Sequence, residues 1–156
     1  MSVVDRLAAL GIVLPTPPAS IANYVGFRIS GSLLVISGQI ALGADGKIAA
    51  QHCGKLGMSV SPDDGRAAAR ICLINVLAQA QSALGSPDRI TACLRLGGFI
   101  NVTPDFTAIP MVMNGASDLI VEILGDAGRH ARSTIGVASL PLNSAVEVEA
   151  LFEIAA

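Results

Sequence analysis

Arg132 is the residue with the clearest chemistry in this sequence. Its guanidinium is a planar fork that stays charged at any working pH and grips a carboxylate with two parallel hydrogen bonds. A structural ion pair, for instance to Glu147, would use the same group. Glu147 can orient a water or a protonated nitrogen, a general acid–base role that needs hydrogen-bond reach more than a special pKa. Glu149 and Glu153 share its periodicity, so a solvated strand face is the plainer reading. Tyr24, the only tyrosine, offers a flat wall with a hydroxyl at its tip. Ser37-Gly38-Gln39 falls just past a β-rich run, and Gly38 lets a ligand approach the backbone closely; a plain turn fits equally well. Asn114-Gly115 stands where a helical pattern begins. Asn114 there offers an amide to a ligand or, more simply, caps the helix. His130 and His52 read as surface or paired histidines. Cys72 and Cys93 read as core, and no Ser-His-Asp signature has a recognisable context.

These side chains need a frame. Ser2 to Leu10 reads as a short amphipathic helix stopped by Gly11. Pro15, Pro17 and Pro18 then forbid helix and impose an extended linker. Tyr24 to Ile29 and Ser32 to Ser37 read as a hairpin around Ser30-Gly31. Gly43 to Gly46 is a second turn, and residues near 48–57 read as a strand fragment with a loop. Ser61-Pro62-Asp63-Asp64 opens a long helix, with a capping hydroxyl, a proline in the first turn and two acids at the positive end of the dipole. That helix runs to Leu84 and stops at Gly85. It is apolar around much of its circumference, which implies burial on more than one side.

A strand is expected from Arg89 to Asn101, with Gly97-Gly98 as a bulge or close-packing point. A loop spans Val102 to Pro110 and a second helix Asn114 to Gly125. Two strands follow, Arg132 to Ser139 and Ala145 to Ile154. In the last, Val146, Val148, Ala150, Phe152 and Ile154 alternate with polar positions, the mark of one buried face. The order ββ, α, β, α, ββ predicts a single α+β domain over residues 1–156, a mixed sheet with two helices on one face. Residues 1–20 form an N-terminal helix and Pro-rich extension.

Composition narrows the function classes. Hydrophobic residues make up 52% and charged residues 14%, against about 25% charged in an average soluble domain. Sparse charge suggests surface buried against another subunit, although a bias toward Ala and Gly would have the same effect. Net charge is −2 and Lys47 and Lys55 are the only lysines. With no basic patch and few, scattered aromatics, nucleic-acid binding is disfavoured. Cys53, Cys72 and Cys93 have spacing that suits neither a disulfide framework nor a zinc site. No basic segment followed by a long apolar run marks a signal peptide, and no uninterrupted apolar stretch approaches about 18 residues. A cytoplasmic protein without a membrane partner is the expectation.

Several segments, in order, resemble the RidA/YjgF family, also called the endoribonuclease L-PSP family. Tyr24 precedes a hairpin. Ile36-Ser37-Gly38-Gln39-Ile40 is similar to the family's SGQ signature. The long helix carries Ala69 and Asn75-Val76 and ends at Gly85. Most specific is the run Ala131-Arg132-Ser133, Val137, Leu140-Pro141 and Val146-Glu147-Val148-Glu149-Ala150. The resemblance covers residues 21–154. It implies a chorismate-mutase-like fold and a homotrimer with clefts between subunits. The activity implied is hydrolysis of reactive enamines and 2-imino acids, of the 2-iminobutanoate and 2-iminopropanoate type, to 2-oxo acids and ammonia, with no metal or organic cofactor. Arg132, Glu147 and Tyr24 would be catalytic. Arg132, Gly38, Asn114 and Thr134 would bind the small 2-imino or 2-oxo carboxylic acid. Thr134 stands where many members carry a cysteine. With a longer N-terminus, an extended 101–112 loop and Gly128-Arg129-His130 beside the arginine, the chain is similar to the family's longer subgroup. A non-enzymatic trimeric binder of small carboxylates is the alternative, and an endoribonuclease the more remote one.

Overall fold

The computed structural model describes residues 1–155. Helix α1, Val3–Ala9, is opened by a capping box in which Ser2 and Asp5 satisfy each other's backbone amides, and it ends before Gly11, whose φ is +67°. Strands β1, Phe27–Ser30, and β2, Leu33–Ile40, form the expected hairpin across Gly31, at φ +58°. Helix α2, Pro62–Leu84, is capped by Ser61 and stopped at Gly85, as the sequence predicts. Strand β3, Ile90–Asn101, helix α3, Ile109–Leu124, and strands β4, Ala131–Val137, and β5, Val146–Ile154, complete the chain.

The five strands lie in the order β1-β2-β5-β3-β4. Only β3 and β4 run parallel; the other neighbours are antiparallel. Burial along β5 follows its alternation: Val146, Val148, Ala150, Phe152 and Ile154 are buried under the helices. Leu34 and Ile36 of β2, with Leu96 and Ile100 of β3, extend the same layer. Leu73, Val76 and Leu77 of α2 and Leu119 and Ile120 of α3 close it from above. By length and composition α2 would also cross a membrane, but 56% of its most apolar window is buried within this fold. Among the described residues no helix lies over the opposite sheet face. Leu33, Val35 and Ile135 are exposed there, between the acidic side chains of β5.

Three expectations need correction, and a fourth that offered two alternatives is resolved. Helix α3 starts at Ile109, not Asn114, because Pro110 sits in its first turn, where a missing amide costs nothing. Asn114 is therefore inside the helix and caps nothing. Ser37-Gly38-Gln39 lies within β2, at a bulge where Ile36 pairs with Ala150 and Gln39 with Val148. Gly97-Gly98 keeps regular register with β5, so these glycines serve close packing; a Cβ on Gly98 would strike the Met113 side chain. The β3 bulges fall instead between Ile90 and Ala92 and between Cys93 and Arg95.

One polar cluster is buried at the end of the sheet. Asn101, fully buried, accepts from Lys55 Nζ at 2.7 Å and donates to Asn143 Oδ1 at 3.1 Å and Ser144 O at 3.2 Å. Lys55 also donates to the carbonyls of Val102 and Ala138. The cluster pins the turn at Pro141–Asn143, where Leu142 and Asn143 hold φ of 52° and 56°.

Helices α2 and α3 meet backbone to backbone at Gly115, where a Cβ would run into the carbonyl of Arg66. Gly115→Ala must push α3 away from α2, a cost of about 1–3 kcal/mol. At about 2–4 °C per kcal/mol for a chain of this size, a thermal melt of the variant should show a midpoint lowered by several degrees.

Candidate functional site

The alternation of the strands decides where each candidate side chain points. Arg132 of β4 pairs with Leu96 of β3, which pairs with buried Ala150 of β5, so Arg132 emerges on the helix-covered face. There α3 presents Asn114 and Ser117, one turn apart. Arg132 Nη1 donates to Asn114 Oδ1 at 2.8 Å and to Ser117 Oγ at 3.1 Å, and Nη2 faces Pro110 O at 3.5 Å. Among the described residues no carboxylate pairs with Arg132. The alternative of a structural ion pair with Glu147 is not realised.

A second chain of bonds stands behind the guanidinium. His130 Nδ1 lies 2.7 Å from Gly128 O, and its Nε2 lies 2.9 Å from Ser117 Oγ. A carbonyl can only accept, so Nδ1 carries a proton, and in the Nδ1–H tautomer Nε2 accepts from the serine hydroxyl. Ser117 Oγ in turn accepts from Arg132. The ring thus orients the hydroxyl, and the hydroxyl orients the guanidinium. Neither role is visible in sequence: Ser117 belongs to no motif, and His130 reads as a paired histidine until α3 is laid against β4. The neighbouring Arg129 is turned aside to Asp126, at 3.4 Å. Thr134 lies two residues along the same face as Arg132, its Oγ1 buried with no partner among the described residues.

Tyr24, Gly38 and Glu147 gather elsewhere. They line a pocket of about 570 Å³ between the bulge of β2, helix α2 and the linker at 15–21. Tyr24, ahead of β1, is exposed at its rim. Gly38 leaves room there for the Glu147 carboxylate, which a Cβ would displace from its present position. Burial, and secondarily the charge of Glu149, raises the Glu147 pKa above its ordinary 4.5. Glu147 alternates with buried Val146 and Val148, so it leaves the sheet on the face opposite Arg132. Its row runs through Phe99 to Ile135. Two strand spacings, roughly 10 Å, and three residues along β4, roughly another 10 Å, separate the two positions. One chain therefore carries two separate clusters: Arg132, Asn114 and Thr134 in one, Tyr24, Gly38 and Glu147 in the other.

The cysteines supply no nucleophile to either half. Burial pushes the Cys72 thiol well above its usual range and the Cys93 thiol up to about 12. Cys53 lies against Leu142 O, outside both clusters. Among the described residues, no group of three or more His, Cys, Asp or Glu side chains is placed to hold a metal ion.

Comparison with known proteins fits this geometry. Residues 4–154 match the family model described as "YjgF/chorismate mutase-like, putative endoribonuclease". Protein TCP17 of Trypanosoma cruzi is 44% identical over 97% of this chain and 94% of its own length. The crystal structure of Atu1372 from Agrobacterium tumefaciens, a protein of unknown function, is 44% identical, covering 98% of this chain and 92% of that one, with a TM-score of 0.90. A protein from Shewanella oneidensis described as a "putative endoribonuclease" is 37% identical, covering 99% and 100%, with a TM-score of 0.93. TdcF of E. coli, solved with bound serine, is 25% identical over 90% and 94%, with a TM-score of 0.65. A match over nearly the whole chain, on the fold that places Arg132 and the SGQ bulge where they stand, makes this protein a member of the YjgF/chorismate mutase-like family.

Proposed function

We propose that the protein is a hydrolase of reactive 2-imino acids, working as a homotrimer whose sites form between subunits. The observation that carries the reading is Arg132, held by Asn114 and Ser117 with no carboxylate partner among the described residues. A guanidinium oriented by neutral oxygens keeps its charge for an anion brought to it, and a carboxylate is the anion its fork fits. The substrate carboxylate docks on Arg132 of one subunit, beside Thr134. Its imine lies against Tyr24, Gly38 and Glu147 of the next. A water oriented by Glu147 adds to the imine carbon, giving a carbinolamine. The nitrogen takes up a proton and leaves as ammonia, and the carbonyl of a 2-oxo acid remains. Imines hydrolyse unaided, so orientation and electrostatic placement are the help required.

Two further features support assembly. The two clusters lie on opposite sheet faces in one chain, and a neighbouring copy can bring them together. The helix-free face carries exposed Leu33, Val35 and Ile135, the kind of apolar surface that marks an interface. TdcF, which shares the fold, is solved with bound serine, a small molecule with the carboxylate this reading requires. The charge of −2 and the two lysines disfavour the endoribonuclease reading.

Imines made in situ by an amino-acid oxidase, with the remainder trapped by semicarbazide, provide the assay. Arg132→Ala removes a charge-assisted clamp worth about 2–5 kcal/mol, so kcat/KM should fall at least about 30-fold while size-exclusion chromatography shows an unchanged assembly. Full activity in that variant would remove the clamp from the mechanism. Ser117→Ala should raise KM more than it lowers kcat, because it loosens the guanidinium without removing it.

Glu147 sets the pH dependence. It must be ionised to draw a proton from water, so activity should fall as pH drops through a pKa raised above 4.5. Glu147→Gln should abolish that acidic limb along with most of the rate. Stability runs the other way. A raised pKa means the folded state holds the proton more tightly, so this contribution is full below the unfolded pKa and lost as pH rises through the folded one. At neutral pH, Glu147→Gln should melt above the wild type, and a lower midpoint would contradict the assigned burial.

A further inference from the structure

The pocket behind Tyr24 is large for a three- or four-carbon acid. Its 570 Å³ falls within the roughly 300–1,000 Å³ typical of sites for much bigger ligands. Its walls are mainly apolar, with Pro15, Pro17, Ile40, Leu42 and Ala78 among them. Three amides interrupt them, Gln39 of β2, whose Nε2 donates to Ser37 O at 3.0 Å, and Asn75 and Gln79 of α2.

The amides differ in their obligations. Asn75 Nδ2 donates to the carbonyls of Ile40 at 3.0 Å and Leu42 at 2.9 Å, which fixes the side chain and leaves Oδ1 as its unused acceptor. Gln79 is 7% exposed as a residue, and its amide, which makes no side-chain hydrogen bond among the described residues, is open to the pocket rather than sealed off. It lies flat on the bare backbone of Gly26, where a Cβ would come within 2.8 Å of its Cδ and 2.9 Å of its Nε2. Facing the pocket with no protein partner on its donor or its acceptor, the amide is served by water until a ligand group takes that water's place.

We infer that this pocket selects 2-imino acids with a long side chain ending in a neutral hydrogen-bonding group, an amide foremost, and that Gln79 reads that end. The inference rests on the 2-imino acid reading above. Arg132 and Glu147 hold the reacting end, and the apolar walls cover the methylenes. The tail then reaches Gln79 for one donated and one accepted bond, with Asn75 Oδ1 as a further acceptor. No lysine, arginine or histidine lines the pocket among the described residues, and Glu147 is there already. A tail carboxylate would be buried unpaired beside like charge. A purely apolar tail would leave the Gln79 amide unsatisfied.

Unreactive amino acids serve as probes, titrated calorimetrically into the full-length protein. L-Glutamine should bind at least about fivefold tighter than L-norleucine or L-glutamate, since one completed buried bond is worth about that factor. Gln79→Leu keeps the side-chain volume and should reverse the glutamine-to-norleucine order while leaving L-2-aminobutyrate, too short to reach position 79, unchanged. Gln79→Glu should transfer the preference to L-lysine. Equal binding of the three long probes by the wild type, or the same order in all variants, would overturn the inference. Turnover separates it from its premise. Selective glutamine binding with no imine hydrolysed would sink the chemistry and keep the tail recognition; brisk hydrolysis without tail preference would do the reverse.

Discussion

The two-residue period of strand β5 governs this structure. Val146, Val148, Ala150, Phe152 and Ile154 go under the helices, and everything between them must go the other way. β5 is also the central strand, hydrogen-bonded to β2 on one side and β3 on the other. Its alternation therefore sets the faces of both neighbours and, through β3, of β4. The same constraint builds the core and divides the chemistry. Glu147 cannot leave its face without turning Val146 and Val148 out of the core, and Arg132 is bound to the row of Leu96 in the same way. A one-residue slip anywhere would move a whole set of apolar side chains into water.

The pocket wall depends on a quieter arrangement. Leu142 and Asn143 hold left-handed backbone that costs non-glycine residues about 1 kcal/mol or more each. Asn101 holds that turn from within, and Lys55 closes the cluster with three oxygens that carry no formal charge. One of the two lysines in the chain is thus spent on architecture. The scarcity of charge in the composition has a partial local meaning here: the network is dense in amides and carbonyls, and a single ammonium suffices for it.

The elements were legible wherever local chemistry governs them. Ser61 with Pro62, the stops at Gly11 and Gly85, the turn at Gly31 and the alternation of β5 each act through nearby backbone. The start of α3 is not legible locally, because Pro110 has two meanings, loop breaker and first-turn residue, and only tertiary packing selects between them. Asn114 shows the same limit. Its sequence setting suggests a cap, and its actual work, holding Arg132, depends on a strand that begins seventeen residues later. The identities of Arg132, Glu147 and Tyr24 were readable, but their division over two sheet faces was not, because it follows from strand order. Ser117 and Gln79 belong to no motif. Each acquires meaning from what lies opposite it, His130 and Arg132 for one, Gly26 for the other.

Strand order also bears on how the molecule comes into being. Helix α2 is apolar enough to pass for a membrane span, and it is synthesised before three of the five strands it helps to cover. The strand that joins the two sides of the sheet is the last of them to leave the ribosome. Until then β1-β2 and β3-β4 are separate ribbons with an unpaired edge each, and the helix has only a partial surface to lie on. Closure needs contacts between residues far apart in the chain, the slow kind to form. The nascent protein therefore passes through an interval with a long apolar helix incompletely covered, and it is in that interval, more than in the finished fold, that aggregation competes and a chaperone has something to hold.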